Sequence, residues 1–258
     1  MGILILKLTL TPALIAAASL ASRRWGAEVG GWLVGIPFTS GPIAFFLAIG
    51  PGVNFAADAA VGIMAGAVSQ AAFAVAYSWT ALRFGWAACA VAATAAFAVA
   101  TVVLDVFRTG ATITLAMAVL GLLVALAVLP RQQKTMAVAA NAMPWWDIPV
   151  RMVVATVFVV ALTSAAPVLG ARLSGLLSPF PVYGAVLCVF AHRLQGKAAA
   201  IGVMRGLLLG LFSFAAFFAA LAVLLVPEGI AIAFTAAIGA ALVLQAASLF
   251  IGRRLELA

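Results

Sequence analysis

Two stretches of this chain set backbone-breaking residues and hydroxyls into otherwise apolar sequence. The first, GWLVGIPFTSGP (31–42), carries Pro37, Thr39, Ser40, Gly41 and Pro42. The second, SGLLSPFPVYG (174–184), carries Pro179, Pro181, Tyr183 and Gly184. Proline has no amide hydrogen, and its ring clashes with the carbonyl four residues back, so both stretches should kink or unwind a helix. A helix that resumes after such a break begins with free amides, which suit an anion. Thr39, Ser40 and Tyr183 add hydroxyls at the same depth. The chemistry predicted is solute binding, by Pro37, Thr39, Ser40 and Gly41 on one side and Pro181, Tyr183 and Gly184 on the other. For either break alone, a kink that only shapes packing is the simpler reading; a matched pair favours a site.

Other side chains join or leave this set by type and place. Gly62-x-x-x-Gly66-x-x-Ser69 and Gly206-x-x-x-Gly210-x-x-Ser213 are small-residue stripes that let helices approach closely. Packing is their first role, but both spans could also line a central contact, so Ser69 and Ser213 are kept as candidates. Gln70 and Tyr77 are polar enough to face a cavity rather than lipid. Lys7 and Arg151 lie near span ends, where long basic side chains snorkel to the interface. Their other reading is a symmetric pair of cations, one near each mouth, that attract or gate an anion. Asp58, Asp105 and Glu28 fall near span ends, and no carboxylate sits at midspan. That argues against an exchanger built on a buried acid.

Catalysis at membrane depth needs a cluster of His, Asp, Glu or Cys. The single histidine, His192, stands beside Arg193 at a span end and reads as interfacial. Cys89 and Cys188 sit in apolar runs with no Cys or His at ligand spacing, so they read as core or lipid-facing. No enzyme activity, metal or cofactor is expected. With no nucleotide-binding loop, ATP driving is not expected from this chain either.

The elements that must position these residues follow from composition. The 258 residues are 67% hydrophobic and 8% charged, with a mean hydropathy of +1.29. A soluble domain carries about 25% charged residues. Apolar runs long enough to cross a bilayer recur along the chain. The fold class read here is an all-α polytopic membrane protein with nine spans: 3–21, 29–49, 57–81, 85–104, 111–129, 150–168, 173–191, 199–226 and 229–251. The first is read as a retained helix, because Arg23 and Arg24 follow its apolar run instead of preceding it. The longest connection, 130–149, ends in Trp145, Trp146 and Asp147, an interfacial anchor. The net charge of +8 lies at span ends rather than on one face, so nucleic-acid binding is not expected.

Basic residues set the orientation. Odd-numbered connections and the C-terminal tail hold nine: Arg23, Arg24, Arg83, Arg131, Lys134, Arg193, Lys197, Arg253 and Arg254. Even-numbered connections hold two, Arg108 and Arg172. The positive-inside rule then puts the N-terminus outside and the C-terminus in the cytoplasm.

The chain also repeats itself at an offset of 144 residues. Gly26, Ala27, Gly31 and Pro37 fall on Gly170, Ala171, Gly175 and Pro181. Gly62, Gly66, Ser69 and Phe73 fall on Gly206, Gly210, Ser213 and Phe217, and Lys7 falls on Arg151. The reading is a first four-helix repeat (1–105), a linker helix and cytoplasmic loop (106–147), and a second repeat (148–258). A single linker helix makes the second repeat enter from the opposite side. This is a 4+1+4 inverted-topology arrangement with broken helices in spans two and seven, a signature of secondary transporters.

The phrase GWLVGIPFTSGPIAFFLA (31–48) resembles the second span of short four-helix bacterial inner-membrane proteins of the GlpM-like type. That resemblance implies a multi-pass protein of the bacterial cytoplasmic (inner) membrane. In layout the chain is similar to fused fluoride exporters, small multidrug transporters and the larger drug/metabolite transporters. Their motifs do not carry over. Small multidrug transporters have a membrane-embedded glutamate in the first helix, where this chain has Lys7; the Asn and paired Phe of fluoride exporters are not evident.

The functional expectation is a secondary transporter of a small organic solute, with anionic or amphipathic solutes favoured. A channel or lipid translocase on the same scaffold, or a membrane assembly factor, is the alternative. The partners expected are the solute and the lipid bilayer; the sequence leaves the oligomeric state open. The topology is testable with single cysteines on a Cys89→Ser/Cys188→Ser background. A membrane-impermeant thiol reagent applied outside intact cells should label Thr109→Cys and leave Phe84→Cys untouched; the reverse pattern would invert the orientation.

Overall fold

The computed structural model describes residues 2–25, 37–130 and 146–256. Regular structure in these residues is all helical: α1 (Gly2–Trp25), α2 (Ser40–Ile49), α3 (Val53–Thr80), α4 (Trp86–Val106), α5 (Ala111–Val128), α6 (Asp147–Leu177), α7 (Val182–Gln195) and α8 (Lys197–Glu256). Among the described residues, five helices are long and apolar enough to cross a membrane: α3, α4, α5, α6 and α8. Helices satisfy every backbone group internally, which hydrocarbon demands. This is an all-helical, multi-pass membrane protein. The first half of expected span two, with Glu28, and the 131–145 stretch of the long connection, with Trp145, lie outside the described residues.

Two helices are interrupted. Gly170 (φ 77°, ψ 167°) breaks α6, and Gly229 (φ 76°, ψ 178°) breaks α8. Positive φ strains any residue with a Cβ, so glycine is the residue for both bends. Pro167 and Pro227 stand just before them. These bends fall where the sequence places the ends of spans six and eight.

Backbone landmarks recur at the 144-residue offset. Gly52 (φ 113°) precedes α3, and Gly196 (φ 87°) precedes α8. Gly85 precedes α4, and its counterpart Gly229 bends α8. Pro37 lies shortly before α2, and Pro181 immediately before α7. Side chains follow suit. Thr101 donates to Ser69 at 2.9 Å, joining α4 to α3. At the counterpart positions Ser213 donates to Gln245, joining the two arms of α8.

The core gathers around α3. Over its most apolar window α3 is 72% buried, against 28% for α4 and 22% for α5. The last two turn Val99, Val102, Leu120 and Val124 outward, as helices facing lipid do. Apolar side chains gain nothing by leaving lipid for each other, so α3 is held by close packing instead. Gly62 and Gly66 lie against the end of α6. A Cβ at Gly62 would stand 2.7 Å from the Arg172 carbonyl, and one at Gly66 would stand 2.5 Å from the Pro179 ring. From the other side, a Cβ at Gly175 would collide with the Ala59 carbonyl.

Polar side chains close the helix ends. The Arg172 guanidinium donates to the Leu104, Asp105 and Phe107 carbonyls at the C-terminal end of α4 and pairs with the Asp105 carboxylate at 3.4 Å. Trp79 Nε1 donates to the Val128 carbonyl at 3.1 Å, and Arg205 to the Pro130 carbonyl at 3.2 Å, at the end of α5.

Gly175→Ala should therefore cost about 1–3 kcal/mol, the usual penalty for overpacking, read as a lowered unfolding midpoint in detergent. Gly239→Ala is the control, because its Cβ would meet nothing within 4 Å. Equal midpoints for the two variants would refute the close approach.

Candidate functional site

The second break shows how proline dismantles a helix. Pro179 and Pro181 have no amides to offer the Gly175 and Leu177 carbonyls. Tighter turns take over: Ser178 N–H bonds Gly175 at 3.2 Å, and Phe180 N–H bonds Leu177 at 3.0 Å. The Val182 amide turns to Phe180 at 2.7 Å, which leaves the Ser178 carbonyl without the amide a continuous helix would supply. Ser40 fills that vacancy, its Oγ donating to the Ser178 carbonyl at 3.0 Å. Both serines are buried. The first break therefore supplies the hydrogen bond that the second has lost. In the first break Gly41 N–H bonds Pro37 at 2.8 Å and Ile43 N–H bonds Thr39 at 3.2 Å. Pro42 has no amide for the Phe38 carbonyl.

Between the breaks lies a cavity of about 20 Å³, room for about one water. Its walls are Pro37 to Ser40 before and at the start of α2, Pro179 and Pro181 to Gly184 around the start of α7, Gln70 of α3 and Phe214 of α8. Seven of the twelve sequence candidates meet here: Pro37, Thr39, Ser40, Gln70, Pro181, Tyr183 and Gly184. Gln70 is only 4% exposed, and its Oε1 has no hydrogen-bond partner.

The other five sit elsewhere. Gly41 faces a separate apolar groove of about 490 Å³. That groove runs from Leu10 and Leu14 past Phe45 to Phe234 and Leu242, and it shares Pro37 and Phe38 with the cavity. Ser69 and Ser213 are bonded to Thr101 and Gln245 and do not line the cavity. Lys7 Nζ stands 5.5 Å from the Phe46 ring centroid. Arg151 is 1% exposed, with its guanidinium carbon 5.1 Å from the Tyr183 ring centroid. Arg151 is thus buried against Tyr183, a cavity-lining residue, without lining the cavity itself.

No protein-family model, curated protein or solved structure matches the chain. Function must be read from the site itself.

Four lining residues were not among the candidate site residues: Phe38, Pro179, Val182 and Phe214. Nor was Phe180, the residue between the two prolines. Its ring is held by Phe97 (centroids 5.2 Å apart), Phe158 (6.2 Å) and Phe73 (6.3 Å). Phe73 in turn stacks on Tyr77, whose Oη lies 3.2 Å from His192 Nδ1. Gln70, Phe73 and Tyr77 thus form one face of α3, leading from the cavity to His192. His192, read from sequence as interfacial, is half-buried against Tyr77. Cys89 and Cys188 are both buried core thiols. Among the described residues no three His, Cys, Asp or Glu side chains cluster to hold a metal.

Ser40→Ala would strip the Ser178 carbonyl of its partner, and a buried unsatisfied group costs about 1–3 kcal/mol. The expected result is a lower unfolding midpoint for Ser40→Ala with Ser40→Thr closer to wild type, since Thr keeps the donor. An unchanged midpoint in Ser40→Ala would remove the bond from the account.

Proposed function

We propose that this chain is a secondary membrane transporter of a small, anionic organic solute, working by alternating access around paired proline-broken helices. The observation that carries the reading is the meeting of the proline-led start of α2 with the broken α6–α7 segment at one buried cavity. Irregular backbone at membrane depth is tolerated where protein buries it or a cavity meets it, and transporters place their sites at such breaks. In this reading nine spans form a 4+1+4 inverted repeat in the bacterial cytoplasmic membrane, with the N-terminus outside. Dividing α6 at Gly170 and α8 at Gly229 supports that count.

Side-chain contacts support the alternation of the spans, because they join ends assigned to the same side. Lys7 meets Phe46, and Arg172 meets Asp105, at ends assigned outside. Trp79 meets Val128, Arg205 meets Pro130, Tyr77 meets His192 and Trp146 meets Phe190 at ends assigned to the cytoplasm. With room for about one water, the cavity belongs to a closed conformation, and a solute enters only when one half moves against the other.

The apolar groove favours a second reading, a lipid translocase, because it borders the cavity, with Pro37 and Phe38 lining both. One reconstitution separates the readings. Proteoliposomes are loaded with a panel of small organic anions, and uptake of the labelled solute is followed beside the flip of a labelled phospholipid. The transporter reading requires saturable uptake that an internal solute pool accelerates, with Thr39→Ala/Ser40→Ala strongly impaired. Lipid flip without solute counterflow would favour the translocase, and flux linear in concentration a channel.

A further inference from the structure

We propose that the cavity takes a hydroxyl group of the solute, and that Gln70 selects for it by accepting its hydrogen bond. The proposal deepens the transporter reading and rests on the cavity being the solute site. It narrows the solute class to small hydroxylated organic acids.

Gln70 carries the argument. It comes from α3, is nearly fully buried and lines the cavity. Its Oε1 has no hydrogen-bond partner. A carboxamide oxygen accepts and cannot donate, so the group that satisfies it must bring an O–H or N–H. An acceptor left unmet in the interior is costly, and a donor on the solute removes that cost. The counterpart of Gln70 at the 144-residue offset, Phe214, lines the same cavity with an apolar ring. Only one of the two halves therefore brings an amide to it.

The walls decide between donors. An ammonium group is disfavoured, because α2 and α7 both begin at the cavity and a helix start carries the positive end of a dipole. Among the described residues no Asp or Glu lines the cavity to hold a cation. A primary amide is too large: about 20 Å³ is room for about one water, the size of a single oxygen with its hydrogens. A hydroxyl has that size, and its oxygen also accepts. Gly184 lines the cavity from the first turn of α7, where amides have no acceptor within their own helix. One hydroxyl can thus donate to Gln70 and accept from that turn. The remainder of the solute uses the space that opens as one half moves against the other.

The test is calorimetric titration of the purified full chain with glycolate, acetate and fluoroacetate. Acetate lacks the hydroxyl, and fluoroacetate replaces it with a group of similar size that cannot donate. The proteins are wild type, Gln70→Leu and Gln70→Met. Wild type should bind glycolate about fivefold or more tighter than either other probe, the worth of one hydrogen bond. Both variants should lose that preference. Their ligand-free unfolding midpoints should match or exceed wild type, since an apolar side chain leaves no acceptor unmet. Equal binding of glycolate and fluoroacetate by wild type, a glycolate preference kept in both variants, or no binding of glycolate would each overturn the proposal. So would lower midpoints in both variants, because the amide would then be satisfied in the folded protein without any solute. Failure of the transporter reading looks different: glycolate binds in this pattern but reconstituted protein moves none.

Discussion

A carbonyl released by proline at membrane depth has no water to turn to, and in this protein the consequence is the Ser40 to Ser178 hydrogen bond. Pro179 and Pro181 force the chain out of α-helical register, and the Ser178 carbonyl is left over. The hydroxyl that meets it comes from 138 residues earlier in the chain, at the start of α2. That one bond obliges the two breaks to lie side by side. Everything around the cavity follows from it: two helix starts face the same space, Gln70 reaches it from α3, and Phe180 is held in its ring of phenylalanines. Gly62, Gly66 and Gly175 are small because α3 must come within backbone contact of the segment that leads into the break.

The 144-residue correspondence makes differences between the halves as informative as the likenesses. Gln70 corresponds to Phe214, Thr39 to Tyr183 and Tyr77 to Leu221. One half therefore supplies the polar groups along α3, while its counterpart supplies apolar bulk along α8. Lys7 and Arg151 are likewise counterparts that do different things. Lys7 lies over Phe46 and stays half-buried, whereas Arg151 is swallowed whole beside Tyr183. Two similar halves, on the proposed reading, give two similar closed ends, and unequal side chains give those ends different chemistry. On the proposed reading, one end closes through Tyr77 and His192 and the other through Phe217, Phe218 and Leu221.

Backbone features were legible in the sequence because glycine and proline act locally. The backbone break within 174–184 and the span ends beside Gly170 and Gly229 could be read from residue type and spacing. Gly41 apart, the candidates nearest the prolines also lie together at the cavity. What escaped depends on partners distant in the chain. Ser69 reads as a small residue in a stripe, and only the structure brings Thr101 to it. Phe180 is one of 17 phenylalanines, and nothing in its neighbourhood announces Phe73, Phe97 and Phe158. Arg151 sits where a basic residue usually reaches for the interface; Tyr183, 32 residues on, gives it an inward alternative.

The central claim is that the junction of the breaks is reached from one side of the membrane at a time. A single cysteine at Thr39, on a Cys89→Ser/Cys188→Ser background, tests it most directly. Oriented proteoliposomes are exposed to a membrane-impermeant thiol reagent on one face or the other. The account requires modification from either face, with the balance between faces shifting when a bound anion is supplied on one of them. A thiol that reacts from neither face under any condition would contradict it and leave the breaks as packing.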